Sequence, residues 1–132
     1  MNEVIPIDNA VVVKVGTGVL ADTYPDGRQR LNPEAFACIG KSILDLEEEG
    51  TRVLLVTSAA ITAGMAEAGL AKRPDSGQIS ELQRLSSIGW RPLLNAWAEA
   101  LPGRVTGSLL LTKHELDLES SERSEALSTA HT

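Results

Sequence analysis

Two short aliphatic runs bracket a helix-patterned stretch, and that arrangement limits the fold more than any other feature of the chain. Ala10–Val15 reads AVVVKV and is closed by Gly16, while residues 53–56 read VLLV. Continuous β-branched and aliphatic runs of this length are the mark of strands in a buried parallel sheet. Between them, Asn32-Pro33-Glu34 has the order of a helix start. Asn can cap, Pro suits the first helical position, and an acid sits well near the positive end of the dipole. Phe36, Ile39, Ile43 and Leu46 then recur at three- and four-residue spacing, and Gly50 follows as the C′ residue. Strand, helix and strand make a βαβ unit.

The remaining punctuation extends this plan. Gly16-Thr17-Gly18 reads as a turn, and Tyr24-Pro25-Asp26-Gly27 makes residues 19–30 a surface hairpin or loop. Residues 59–69 are Ala-rich and predict a helix directly after the second strand. Residues 70–77 form a loop, and Ile79, Leu82, Leu85, Gly89, Leu93 and Trp97 mark a long helical segment that Pro92 should kink or break. Residues 105–111 predict a third core strand, and Thr112-x-x-Glu115 fits a capping box for a following helix. The expected class is α/β, a mostly parallel sheet with helices on both faces. At 132 residues, one domain covering 1–132 is the expected count. Aromatic residues make up only 3%, so Val, Leu, Ile and Ala must build the core.

Charge and cysteine usage exclude several classes. A net charge of −6 argues against nucleic acid, which needs a basic patch. The single cysteine, Cys38, cannot form an internal disulfide and fits a reducing compartment. It lies beside Phe36 and Ile39 and reads as a small buried hydrophobe rather than a nucleophile. Met1-Asn2-Glu3 lacks the basic start of a secretory leader, and no apolar run is long enough to span a bilayer. A cytoplasmic location without a membrane is the expectation.

Ligands of parallel sheets bind at the carboxyl ends of the strands. Two segments there can carry chemistry. Lys14 interrupts an apolar strand just before Gly16, Thr17 and Gly18. Glycines let backbone N–H groups approach phosphate, and lysine adds a point charge. The alternative is a strand lysine that extends its amine to water. Thr57-Ser58, before a helix, offers two hydroxyls and free N–H groups to a carboxylate or phosphate. The alternative is that Ser58 is an ordinary N-cap. Neither His114 nor His131 has a metal-ligand spacing, so no metal site is expected. No nucleophile elbow or P-loop occurs. Gly16-x-Gly18-x-x-Ala21 fits a relaxed dinucleotide fingerprint, but Pro25 and Gly27 cut short the helix it requires.

Taken together, Val13-Lys14-Val15-Gly16-Thr17-Gly18-Val19-Leu20, Arg30-Leu31-Asn32, Val56-Thr57-Ser58-Ala59-Ala60-Ile61-Thr62-Ala63-Gly64 and Gly107-Ser108-Leu109-Leu110-Leu111-Thr112 resemble the amino-acid kinase family. The resemblance implies an incomplete version of that fold, the N-terminal, substrate-side half. It implies ATP-dependent phosphorylation of the γ-carboxylate of glutamate, in proline synthesis, with ATP and Mg2+ as cofactors. Lys14 would stabilise the transferring phosphoryl group, Gly16, Thr17 and Gly18 would line the phosphate site, and Ser58 and Ala59 would contact the substrate. The family has glycine at the position of Ala59, so a side chain there bears on substrate room and on any positive φ. The family's second catalytic lysine and nucleotide-binding half have no counterpart in these residues. Inactivity of the chain alone is therefore expected. So is a partner: a truncated sheet leaves an open edge and face, which a homo-oligomer or the missing half would cover. The other reading is a non-catalytic binding or oligomerisation module.

Overall fold

The computed structural model describes residues 9–108. Of these, the residues through Val105 belong to one compact unit. The first strand, β1 (Ala10–Val15), is followed by a single helical turn, α1 (Thr17–Leu20), and a hairpin of β2 (Ala21–Thr23) and β3 (Gln29–Leu31). Then come α2 (Pro33–Glu48), β4 (Arg52–Thr57), α3 (Ala60–Ala68) and α4 (Ile79–Ala100).

The expected βαβ unit is present. β1 pairs in parallel with β4, from Ala10 opposite Arg52 to Val15 opposite Thr57. Alternate side chains point to opposite faces of a strand. Val13, Val15, Val53 and Leu55 accordingly pack into a core with Leu20, Phe36, Ile43, Leu93, Trp97 and Leu101. On the other face Val12, Leu54 and Val56 are 63, 38 and 44% exposed, so among the described residues the helices cover one face of the sheet. The Phe36 and Trp97 rings meet edge-to-face, with centroids 4.7 Å apart, and join α2 to α4.

Helix α2 starts and stops as its residues dictate. The Asn32 side chain accepts from the N–H groups of Glu34 (3.0 Å) and Ala35 (3.4 Å). Gly50, at φ 85°, provides the left-handed turn after the helix. Cys38 is exposed, which corrects the expected burial. At 100° per residue it stands about 200° around the helix from Phe36, on the solvent side.

Helices α3 and α4 cross closely because two glycines leave no side chain between them. A Cβ on Gly64 would strike the Leu85 carbonyl, and one on Gly89 would strike the Ala60 carbonyl and the Gly64 nitrogen. Pro92 lies inside α4 without ending it. The carbonyl it leaves without a donor belongs to Ile88, a residue on the exposed side of the helix, where water can replace the bond.

The expected third strand is not formed by residues 105–108, and the rest of it lies outside the described residues, as does Thr112-x-x-Glu115. Arg104 Nε instead pairs with Glu47 Oε2 at 2.7 Å, and Val105 is fully exposed. A β-branched run becomes a strand only where a neighbour supplies the ladder. Among the described residues, no helix is long and apolar enough to cross a membrane.

Candidate functional site

Past the last strand pair, Ser58 donates its N–H to the Val15 carbonyl at 3.0 Å. This bond ties the carboxyl ends of β1 and β4 together, so the loops that begin at Gly16 and Ser58 leave the sheet side by side. They border a cleft of about 270 Å³ lined by Thr17, Ser58 and Ala59, by Thr62 of α3, by Arg73 of the loop that follows, and by Ser86 of α4. Helix α3 opens on this cleft, and the N–H groups of its first turn have no partner within the helix. Its first bond back to the cap runs from the Ala63 N–H to the Ala59 carbonyl.

The residues singled out from sequence are not all in one place. Thr17, Ser58 and Ala59 line the cleft. Gly16 and Gly18 flank Thr17 with nothing within 4 Å of where a Cβ would stand, so a ligand atom could approach their backbone. Lys14 does not line the cleft; its side chain is exposed on the open face of the sheet, and among the described residues it forms no ion pair. The one-turn helix α1 gives way directly to the hairpin, which is too short for a dinucleotide fold's phosphate-binding helix.

Only one of the two expected hydroxyls is free to face a ligand. Thr57 Oγ1 accepts from Trp97 Nε1 at 3.0 Å and donates to the Ser58 carbonyl at 3.0 Å. Ser58 is not the N-cap either. Ala59 holds that position, at φ 86° and without a side-chain cap bond. Left-handed backbone is uncommon for a residue with a Cβ, and such strain persists only where its surroundings hold it.

Arg73, Thr62 and Ser86 were not anticipated. Arg73 is the one charged residue in the lining, in a chain of net charge −6, and no ion pair occupies it among the described residues. A cation among hydroxyls in a concave site suits a small anion. In the sequence Arg73 marked only a loop, and Ser86 had no distinguishing neighbour. A larger cavity, about 580 Å³, lies between the hairpin and α3 and is lined by Tyr24, Arg30, Met65 and Leu70 among others. It contains none of the candidate site residues Lys14, Gly16, Thr17, Gly18, Ser58 and Ala59. There the Arg30 guanidinium stacks 4.6 Å from the Tyr24 ring centroid.

No carboxylate set accompanies the cleft. Among the described residues, no group of three or more His, Cys, Asp or Glu side chains is placed to hold a metal ion.

No family model matches the chain. Curated relatives do. The glutamate 5-kinase of Symbiobacterium thermophilum is 36% identical over 109 residues, covering 81% of this chain and 39% of that protein. That of Thermus thermophilus is 38% identical over 112 residues, covering 83% of this chain and 28% of that protein. That of Thermoanaerobacter pseudethanolicus is 36% identical over 124 residues, covering 92% and 31%. The chain therefore spans about three to four tenths of the length of the curated relatives it matches. Over four fifths or more of its own length, the chain is related in sequence to part of the glutamate 5-kinases of the amino-acid kinase family.

Proposed function

We propose that the chain is the substrate-side portion of a glutamate 5-kinase-like phosphotransferase, acting on the γ-carboxylate of glutamate with ATP in proline synthesis. The observation that carries this reading is the junction at the sheet's carboxyl end, where the Ser58–Val15 bond sets the glycine loop beside a cleft of hydroxyls and one arginine. The sequence relatives bear the name of that activity.

The chemistry asks little of the protein beyond placement. A carboxylate with a pKa of about 4 is already ionised at neutral pH and needs no general base. Phosphoryl transfer then depends on alignment and on charge stabilisation. Ser58 and the Ala59 N–H are assigned to the substrate, and Gly16, Thr17 and Gly18 to the phosphates, whose oxygens the open glycine backbone can meet. Lys14, on a long flexible stem, is assigned to the transferring phosphoryl group. ATP supplies that group. Mg2+ would come with the nucleotide's phosphates, since the described residues offer it no carboxylate set.

The chain alone is expected to bind its carboxylate substrate and to turn it over little or not at all. The open face formed by Val12, Leu54 and Val56 supports a homo-oligomer or a further stretch of kinase as the partner. The test is ADP release from Mg-ATP with glutamate, for the wild type and Lys14→Ala. Activity that survives the substitution would remove Lys14 from its role. Absence of both activity and ATP binding would favour a non-catalytic module.

A further inference from the structure

The peptide joining Ser58 to Ala59 is fixed from behind by a chain of two hydrogen bonds that starts at Trp97, 40 residues beyond Thr57. An indole N–H can only donate. Trp97 Nε1 therefore fills a lone pair of Thr57 Oγ1, and the Thr57 proton goes to the Ser58 carbonyl, each step at 3.0 Å. No described peptide bond is cis. In a trans peptide the N–H points opposite to the C=O. Holding the Ser58 carbonyl toward Thr57 thus turns the Ala59 N–H the other way. Ala59 is 5% exposed, lines the cleft, and donates this N–H to no group among the described residues. An unpaired donor on so buried a residue is uncommon and asks for an acceptor.

We propose that Trp97 is a positioning residue: through Thr57 and the Ser58 carbonyl it presents the Ala59 N–H to an anionic oxygen of the bound substrate. This rests on the reading of the cleft as a glutamate site. The bond from Thr57 also helps Ala59 keep φ 86°, because the carbonyl before it cannot turn without breaking that bond. Trp97 itself is 4% exposed and braced on Phe36, so the donor at the start of the chain is rigid.

The test uses the full 132-residue chain. Calorimetry with glutamate is combined with the Ala59 amide resonance in 1H–15N spectra. Trp97→Phe keeps a ring against Phe36 and removes the donor. Thr57→Val keeps the shape of Thr57 and removes the hydroxyl, whereas Thr57→Ser keeps the hydroxyl. Trp97→Phe and Thr57→Val should each weaken glutamate roughly tenfold, and Thr57→Ser should stay within about twofold of wild type. The Ala59 resonance should shift downfield on glutamate addition in wild type and Thr57→Ser only. The double variant should be no weaker than either single one, since both break one series. Unchanged glutamate affinity in Trp97→Phe and Thr57→Val, or additive losses in the double variant, would overturn the proposal and leave the glutamate reading in place. Should Trp97→Phe not fold, the Thr57 pair decides alone. A wild type that binds no glutamate overturns the reading of the cleft, and this inference with it.

Discussion

Ser58 N–H and the Val15 carbonyl meet at 3.0 Å, one step beyond the register pair Val15–Thr57. That bond turns two separate sequence motifs into neighbours. Residues on either side of it, Thr17 and Ala59, then share a cleft with Arg73, which arrives from a loop fourteen positions beyond Ala59.

Arg73 should carry most of the cleft's attraction for an anion. Arg73→Ala is expected to weaken glutamate roughly tenfold, in line with a charge-assisted hydrogen bond. Arg73 is exposed and unpaired among the described residues, so the melting temperature should hardly move. Calorimetry at two salt concentrations checks this, since the arginine's share should shrink as salt rises. Equal affinities for variant and wild type would contradict it.

Ala59 sits at φ 86° with its methyl buried. Ala59→Gly relieves a left-handed penalty of about 1–2 kcal/mol. It loses about 0.8 kcal/mol of methyl burial, and about 0.5–1 kcal/mol more goes to glycine's greater freedom in the unfolded chain. The net change should stay within about 1 kcal/mol. Ala59→Val places a β-branched side chain in the same conformation and should cost about 2 kcal/mol or more. Urea unfolding of the two variants gives the contrast directly.

Gly89 and Gly18 differ sharply in what surrounds them. Gly89 touches backbone of α3, so Gly89→Ala must push two helices apart, at a cost of about 2–3 kcal/mol or more. Gly18 has open space around it, so Gly18→Ala should leave folding intact while reducing nucleotide binding. Thermal melts paired with ATP titrations separate the two effects. A stable Gly89→Ala protein would mean the helices are not in contact as described.

The open sheet face predicts self-association when no further stretch of kinase covers it. The chain should exceed its monomer mass of 14.0 kDa in light scattering at micromolar concentration. Val12→Lys and Leu54→Lys, both on that face, should drive it toward monomer. A monomeric wild type would count against this.

What could be seen in the sequence was local. Asn32, Pro33 and Gly50 act within one or two residues of themselves, and each does in the structure what its chemistry dictates. The parallel strands were legible from their aliphatic runs. Adjacency to Phe36 is a poor guide to Cys38, because the 100° step per residue turns it outward. Thr57 looked like a ligand-facing hydroxyl until Trp97, 40 residues on, took it. Arg73 and Ser86 reach the cleft only through the packing of α3 on α4, which no local pattern states. Positive φ at Ala59 could be suspected only from the glycine the amino-acid kinase family carries there.

The most direct test of the glutamate reading is a residue-resolved 1H–15N titration of the chain with glutamate. The account predicts saturable shifts that cluster at Thr17, Ser58, Ala59, Thr62, Arg73 and Ser86, around the cleft. Shifts confined to Tyr24, Arg30, Met65 and Leu70, around the larger cavity, or no shifts at all, would contradict it.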